Sequence, residues 1–349
     1  MKDIKTLGID LAKTIFQLHG IDKKGKCVLK RRVTRGKLLN VISQLPPCLI
    51  GMEACGSAHY WAREFQALGH QVKLMAPQFV KPYVKSNKND RNDAEGICEA
   101  VSRPNMRFVP IKTREQQDML LVHRARELAV KHRTALSNQI RGLLAEYGIT
   151  MPKGYIGKYM ATILSDAFEQ LTESACVIFN SLYEQYRQLD EQVESYDKMI
   201  QQQATKDKRC QALLDIEGVG PVIATVMVAT IGDGHDFKKG REVSAWLGIV
   251  PKQHSSGNKE RLGGISKRGD SYIRKTLIQG AKAVVYRCDQ KTDRRSLWLK
   301  DKKDRCGLNK AAVALANKNV RIIWAMLSTG ECYRKPTQNN VMKAAPVAA

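Results

Sequence analysis

The 349-residue chain carries 58 Lys and Arg against 34 Asp and Glu, a formal charge of +24 at pH 7. Its 43% hydrophobic and 26% charged residues are enough to bury a core, which excludes wholesale disorder, and the length admits two or three domains. The basic excess selects polyanionic partners, and no apolar run approaches the roughly 18–20 residues of a spanning helix, so nucleic acid is favoured over a membrane.

Residues 4–9, 14–20 and 26–33 read as three short strands separated by polar turns. A helix is predicted over 36–44, a strand over 48–52, an amphipathic helix near 57–68 and a strand over 71–75, followed by helices at about 77–84 and 90–102. That order predicts an α/β domain on a mixed sheet, with the first and fourth strands side by side. The N-terminal MKDIKTLGIDLAK has no apolar core of a secretory signal. Nine cysteines stand singly, without a CxxC pair, which points to reduced thiols in a cytoplasm rather than a disulfide framework or zinc ribbon.

From Thr113 the texture becomes helical. TREQ reads as a capping box opening a helix to about Glu146, with Leu121, Leu128, Leu136, Ile140 and Leu143 along one side. Residues 161–204 read as a further long, polar helix, so this segment is expected to be a coiled-coil-like arm or a solvated spacer. Near Asp207 a third region begins. Its Gly218-Val219-Gly220 turn between apolar stretches is like a helix-hairpin-helix or an ordinary tight turn. From residue 206 onward 28 Lys and Arg face 13 Asp and Glu, so most of the excess charge lies there. The expected organisation is 1–110 catalytic α/β domain, 111–205 long-helix segment, 206–335 mostly helical C-terminal domain and 336–349 disordered tail.

Four carboxylates stand out. Asp10 and Glu53 end the first and fourth predicted strands, at the carboxyl edge where open α/β sheets build their sites. Asp90 and Asp93, three apart in KNDRNDAEG, share one face of a helix's first turn. An Asp at a helix start is ordinarily a cap. Four converging acids, however, need a cation, and hard oxygen ligands suit Mg²⁺ or Mn²⁺, which can clamp displacement at a phosphodiester. Glu95 and Glu99 read as solvated helix positions.

A second constellation spans 244–276. Gly257, Gly263, Gly264 and Gly269 would let the backbone approach phosphate, and Lys259, Arg261, Lys267, Arg268, Arg274 and Lys275 supply charge. Lys88 and Arg91 flank the acid pair in the same spirit. Ser255 and Ser256 beside Gly257 are candidate nucleophiles, with His254 a candidate base. The stretch 294–310, RRSLWLKDKKDRCGLNK, reads as a further backbone grip.

Taken together, GIDLAK, GMEACG, KNDRNDAEG, GVGP and WLGIVPKQHSSGNKERLGGISKRGD resemble the insertion-sequence transposases with a DEDD catalytic tetrad. That family is also described as bridge-RNA-guided recombinases and is related to the Piv DNA invertases. The resemblance implies a RuvC-like, RNase H-type N-terminal domain in which Asp10, Glu53, Asp90 and Asp93 hold Mg²⁺. It implies a serine that links covalently to DNA, matched by Ser256 with Ser255 the neighbouring alternate. It further implies donor and target DNA, a structured non-coding guide RNA, and a tetramer, a dimer of dimers, taking acids and serine from different subunits. Rival readings are a junction-resolvase-like nuclease using water, and a non-catalytic nucleic-acid-binding protein.

Overall fold

The computed structural model describes residues 3–85, 89–151, 156–166, 170–257 and 259–334. The chain divides into two compact units, Met1–Arg114 and Glu115–Ala349. Lys88 and the tail expected at 336–349 lie outside the described residues.

In the first unit, β1 (Thr6–Asp10), β2 (Ile15–Ile21) and β3 (Cys27–Thr34) form an antiparallel meander. The helix α1 (Arg35–Ser43) leads to β4 (Leu49–Glu53), and α2 (Ala58–Ala67) to β5 (Gln71–Met75). After α3 (Pro77–Val80) and a single 3-10 turn, α4 (Asp90–Val101) precedes the two-residue β6 (Phe108–Val109). The sheet order is β3-β2-β1-β4-β5-β6, with β1, β4 and β5 mutually parallel. The expected neighbourhood of first and fourth strands is therefore present, in a mixed sheet with one short strand the sequence did not announce.

Central strands of such a sheet are covered on both faces and read as continuous apolar runs. Leu7, Ile9, Ile50, Met52 and Leu74 are accordingly buried, while Lys30, Arg31 and Arg32 on edge strand β3 are exposed, which discourages edge-to-edge pairing. On one side Phe16, Trp61 and Phe65 pack together, Phe16 meeting Trp61 edge-on at 5.5 Å between ring centres.

Among its described residues the second unit is helical apart from one hairpin. The helix α5 (Arg114–Ala145) is 32 residues long, α6 (Ile156–Asp166) follows, and α7 (Glu173–Lys206) runs for 34. The helix expected over 161–204 is thus two helices, and Thr172 caps the second by accepting from the Ala175 N–H at 3.2 Å. Of the five apolar positions expected along the inner face of α5, only Leu136 and Ile140 are buried. Leu121, Leu128 and Leu143 are exposed, and the buried line is His123, Ala129, Leu136, Ile140 and Leu144. The spacing 129-136-140-144 selects a face that alanine and a histidine share with larger side chains, so counting leucines misplaces it.

Beyond α7 come α8 (Lys208–Leu213), α9 (Pro221–Ile231) and α10 (Gly240–Trp246), then the hairpin β7 (Pro251–Gln253) with β8 (Leu262–Ile265). The helices α11 (Ser271–Tyr286), α12 (Arg294–Cys306) and α13 (Leu308–Thr329) close the unit. Apolar on every side, α9 is the element that α7, α8 and α11 bury, and residues 223–231 are all buried. Gly218 turns with φ +85°, and a Cβ there would lie 2.9 Å from the Gly280 carbonyl oxygen; the turn is bare because α11 crosses it. Among the described residues no helix is long and apolar enough to cross a membrane. All nine cysteines are free thiols.

Candidate active site

Two glycines set the depth at which α4 lies on the sheet. A Cβ on Gly8 would come within 2.3 Å of the Ala94 carbonyl oxygen and 2.5 Å of the Cys98 amide nitrogen. One on Gly51 would meet the Val101 side chain at 2.7 Å. Each glycine stands two residues before a strand-terminal acid, Gly8 before Asp10 and Gly51 before Glu53. The bare backbone lets the helix sit directly on β1 and β4, and its first turn then overhangs the carboxyl edge.

The parallel register that joins Ile9 to Met52 brings Asp10 beside Glu53 at the next step. From above, Asp90 and Asp93 come down on Asp10. One carboxylate oxygen from each of these three aspartates lies within 4.8 Å of the other two. Glu53 is outside this mutually close set but shares the edge. Partial desolvation raises the Cys55 thiol above its ordinary value, and the charges of Glu53 and then Asp10 raise it further.

The cap of α4 is Asn89, not an aspartate. Its side-chain oxygen accepts from the Arg91 N–H at 3.1 Å and the Asn92 N–H at 2.9 Å. The reading of Asp90 as a cap is thereby corrected, and both carboxylates are spared for other partners. Among the described residues neither Asp90 nor Asp93 forms an ion pair with a Lys or Arg. Three anionic oxygens this close repel unless a cation joins them, and an all-carboxylate set fits a hard divalent ion. Glu95 and Glu99, expected to be solvated, have local partners: Glu95 pairs with Lys30 at 3.5 Å and lies 3.7 Å from His19, and Glu99 pairs with Arg103. Arg91 is exposed on the first turn.

In the second unit the Gly/Ser/Lys/Arg stretch is a loop, as its composition suggests, carried between the two short strands β7 and β8. Ser256 bridges to Lys259, whose N–H donates to the Ser256 carbonyl at 3.3 Å, and Gly257 turns the chain at φ +57°. The Ser255 hydroxyl accepts from Gln253 Nε2 at 3.1 Å. Ser255, Ser256, Lys259 and Arg261 are all exposed, as are Lys267, Arg268 and Lys275. His254 anchors the hairpin through its backbone N–H, which donates to the Arg261 carbonyl at 3.0 Å. At the hairpin's root Gly269 lies so close that a Cβ would fall 2.1 Å from the Trp246 carbonyl oxygen, and Gly248 meets the Arg268 backbone as closely. Arg274, expected at phosphate, spends its guanidinium on the Leu247 and Arg268 carbonyls at 3.1 and 3.0 Å, which locks this root. Glycine's use at 248 and 269 is therefore packing, while 257 and 264 stay open and 263 has only an ordinary contact with Lys252 at 3.9 Å.

The residues that sequence reasoning passed over are Gly8, Gly51 and Asn89. Their signal was present: a glycine two before each strand-end acid, and an Asn immediately before the helix.

Comparison with known proteins adds a second line of observation. The sequence matches a transposase model of the DEDD, IS110 type over residues 7–149 and the model of the transposase IS116/IS110/IS902 family over 210–296. It is similar to a probable family 20 transposase of Pseudomonas aeruginosa, with 48% identity over 95% of this chain and 99% of that protein. The transposase for insertion sequence element IS1111A of Coxiella burnetii shares 48% identity over 96% of this chain and 92% of its own length. The transposase for IS1328 of Yersinia enterocolitica shares 39% over 96% and 100%.

Proposed function

The chain belongs to the IS116/IS110/IS902 family of insertion-sequence transposases, and on that premise we propose that it cuts and rejoins DNA with a carboxylate-held divalent ion and a serine nucleophile. The observation that carries this reading is the convergence of Asp10, Asp90 and Asp93, with Glu53 on the adjoining strand end, at the carboxyl edge of a mixed sheet. On this reading the first unit is of the RuvC-like, RNase H type. Asp10, Glu53, Asp90 and Asp93 would hold Mg²⁺ or Mn²⁺. Such an ion, when bound, supplies Lewis-acid stabilisation of the charge that builds on a phosphate under attack.

Ser256 is the nucleophile. Its Oγ forms a bond to phosphorus as the bond to the 3′ oxygen breaks; the serine proton is lost and the departing oxygen becomes a 3′-OH. Rejoining is the reverse, with a 3′-OH attacking the phosphoserine, so the bond energy is conserved in the covalent link and no external energy source is needed. Exposure of Ser256 at a turn with an open glycine beside it supports this role, as does the hydrogen bond that engages Ser255 instead. Lys259, Arg261, Lys267, Arg268 and Lys275 would neutralise the approaching backbone, and Arg91 its path near the acids. The family resemblance extends the proposal to a structured guide RNA that pairs with donor and target DNA, and to a tetramer assembled as a dimer of dimers through the long helices.

Trapping the protein–DNA adduct on a denaturing gel tests the mechanism. Adduct is expected from wild type and from Ser255→Ala, and none from Ser256→Ala or Asp93→Asn, while all four still bind DNA. Cleavage at full rate by Ser256→Ala would mean that water attacks, as in a resolvase. Sequencing the RNA that co-purifies with the protein tests the guide: a defined structured RNA matching the DNA around its gene is expected, and random cellular RNA overturns it.

A further inference from the structure

The basic run at 294–310 does not act as a unit, because the fold has already spent much of it. Arg295 is buried and donates to Tyr333 at 3.1 Å and to Asn319, which in turn holds the Glu217 carbonyl at 3.0 Å. Lys303 pairs with Asp289 and Arg305 with Asp301. Arg294, first residue of α12, is exposed and pairs with no carboxylate among the described residues.

One turn on, Trp298 lies on the same face of α12 as Arg294, at the i+4 position. The ammonium of Lys318 from α13 sits over the Trp298 ring, 4.9 Å from its centre. Arg321, three residues beyond Lys318, continues the same face of α13 and is exposed, likewise without an acidic partner among the described residues. Two helices joined at Gly307 thus set Lys318 over one half-buried indole, with Arg294 and Arg321 close enough to act on its charge. Partial burial holds Lys318 below the ordinary lysine value, and the charged groups that depress it further are all arginines: Arg295, Arg294 and Arg321. Like charges gathered in this way cost free energy, and an anion relieves it.

We propose that Arg294, Arg321 and Lys318, the last held over Trp298, form a binding site for the phosphodiester backbone of nucleic acid. It is distinct from the serine hairpin, and it rests on the reading of this protein as one that handles nucleic acid. Trp298 acts as a post that holds the Lys318 ammonium in position, and the arginines flank it with planar donors suited to phosphate oxygens. The site belongs to the same unit as the hairpin, and Asn317, beside Lys318 on α13, donates to the Ile249 carbonyl at 3.2 Å just ahead of β7. A strand seated on α12 and α13 would therefore be held by the framework that carries Ser256.

Salt-dependent binding decides the matter. Full-length wild type and the triple variant Arg294→Gln/Lys318→Gln/Arg321→Gln are titrated with fluorescent duplex DNA, single-stranded DNA and a structured RNA between about 50 and 200 mM salt. Each lost phosphate contact should flatten the slope of log affinity against log salt by about 0.7–0.9, so the triple variant should be shallower by about 2–3 on at least one probe. The probe that responds identifies the strand that the site holds. The charge-preserving variant Arg294→Lys/Arg321→Lys should keep most of the wild-type slope. The thermal midpoint of the triple variant should be equal or higher, since repulsion has been removed. Unchanged slopes on all three probes, or a lower midpoint with unchanged slopes, would overturn the site while leaving the proposed function intact. Failure of wild type to bind any probe would overturn both.

Discussion

Asn89 and Gly8 are small residues that decide where large chemistry falls. Removing the cap with Asn89→Ala should cost about 1 kcal/mol of stability, read by chemical denaturation. Its larger consequence is local, because the turn that frays carries Asp90 and Asp93. Manganese affinity measured by calorimetry should drop, and Asn89→Ser, which restores an acceptor, should recover it. Gly8→Ala is harsher. The added Cβ meets backbone atoms of α4 at 2.3 and 2.5 Å, which cannot swing away, so the cost should sit at or above the ~3 kcal/mol upper end of ordinary overpacking. Gly51→Ala, facing the Val101 side chain, should cost less. A metal-binding loss in Gly51→Ala as deep as in Gly8→Ala would contradict the view that the backbone contact at Gly8 is the stricter of the two seats of α4. The acids themselves were legible in the sequence, since each ends an apolar run or opens a helix. The cap was misread because Asp90 and Asn89 both suit a helix start, and only the backbone N–H directions choose between them.

At the scale of elements, a buried histidine fastens α5 to its neighbours. His123 meets the Tyr272 hydroxyl of α11 at 2.9 Å and the Thr225 hydroxyl of α9 at 3.0 Å. Burial, with Arg126 and Arg124 nearby, pushes its imidazole down to about 4 from an ordinary 6.5. The unfolded chain therefore takes up the proton first as pH falls. Stability from this site is complete above about pH 6.5 and drains away toward pH 4, by about 3 kcal/mol in all. Thermal unfolding followed from about pH 7 to 4.5 should show the loss in wild type and a flatter profile in His123→Gln; equal profiles would show that other groups govern the acid limb. Nothing in the sequence marked this residue, because a histidine interrupts an otherwise countable leucine pattern. The strands were legible for the opposite reason. Gln71–Met75 stands where its apolar run predicts, whereas the Ser256 hairpin, built from Gly, Ser, Lys and Arg, has no apolar signal and is held by hydrogen bonds at its root. Salt bridges lace α5 to α7 in antiparallel order, Arg126 with Asp197 and Arg133 with Asp190, a pairing visible only once the two helices are folded together.

Across the whole molecule the proposed chemistry is divided. The acids belong to Met1–Arg114 and the serine hairpin to Glu115–Ala349. Each unit has its own hydrophobic core, so each can hold its half of the machinery in shape by itself. A division of this kind lets an oligomer draw its two halves from different copies, which would make cutting conditional on assembly and keep a lone protomer harmless to DNA. The consequence is a complementation test. Asp93→Asn and Ser256→Ala should each be inactive alone, for different reasons: one lacks a carboxylate, the other lacks the nucleophile. Mixed before assembly, they form some composite sites in which an intact acid set from one copy meets an intact serine from another. Strand cleavage and adduct formation should then return to a definite fraction of wild type, and the adduct should sit only on the Asp93→Asn protein, identified by a size tag. A mixture as dead as its components would place acids and serine of one site within a single chain.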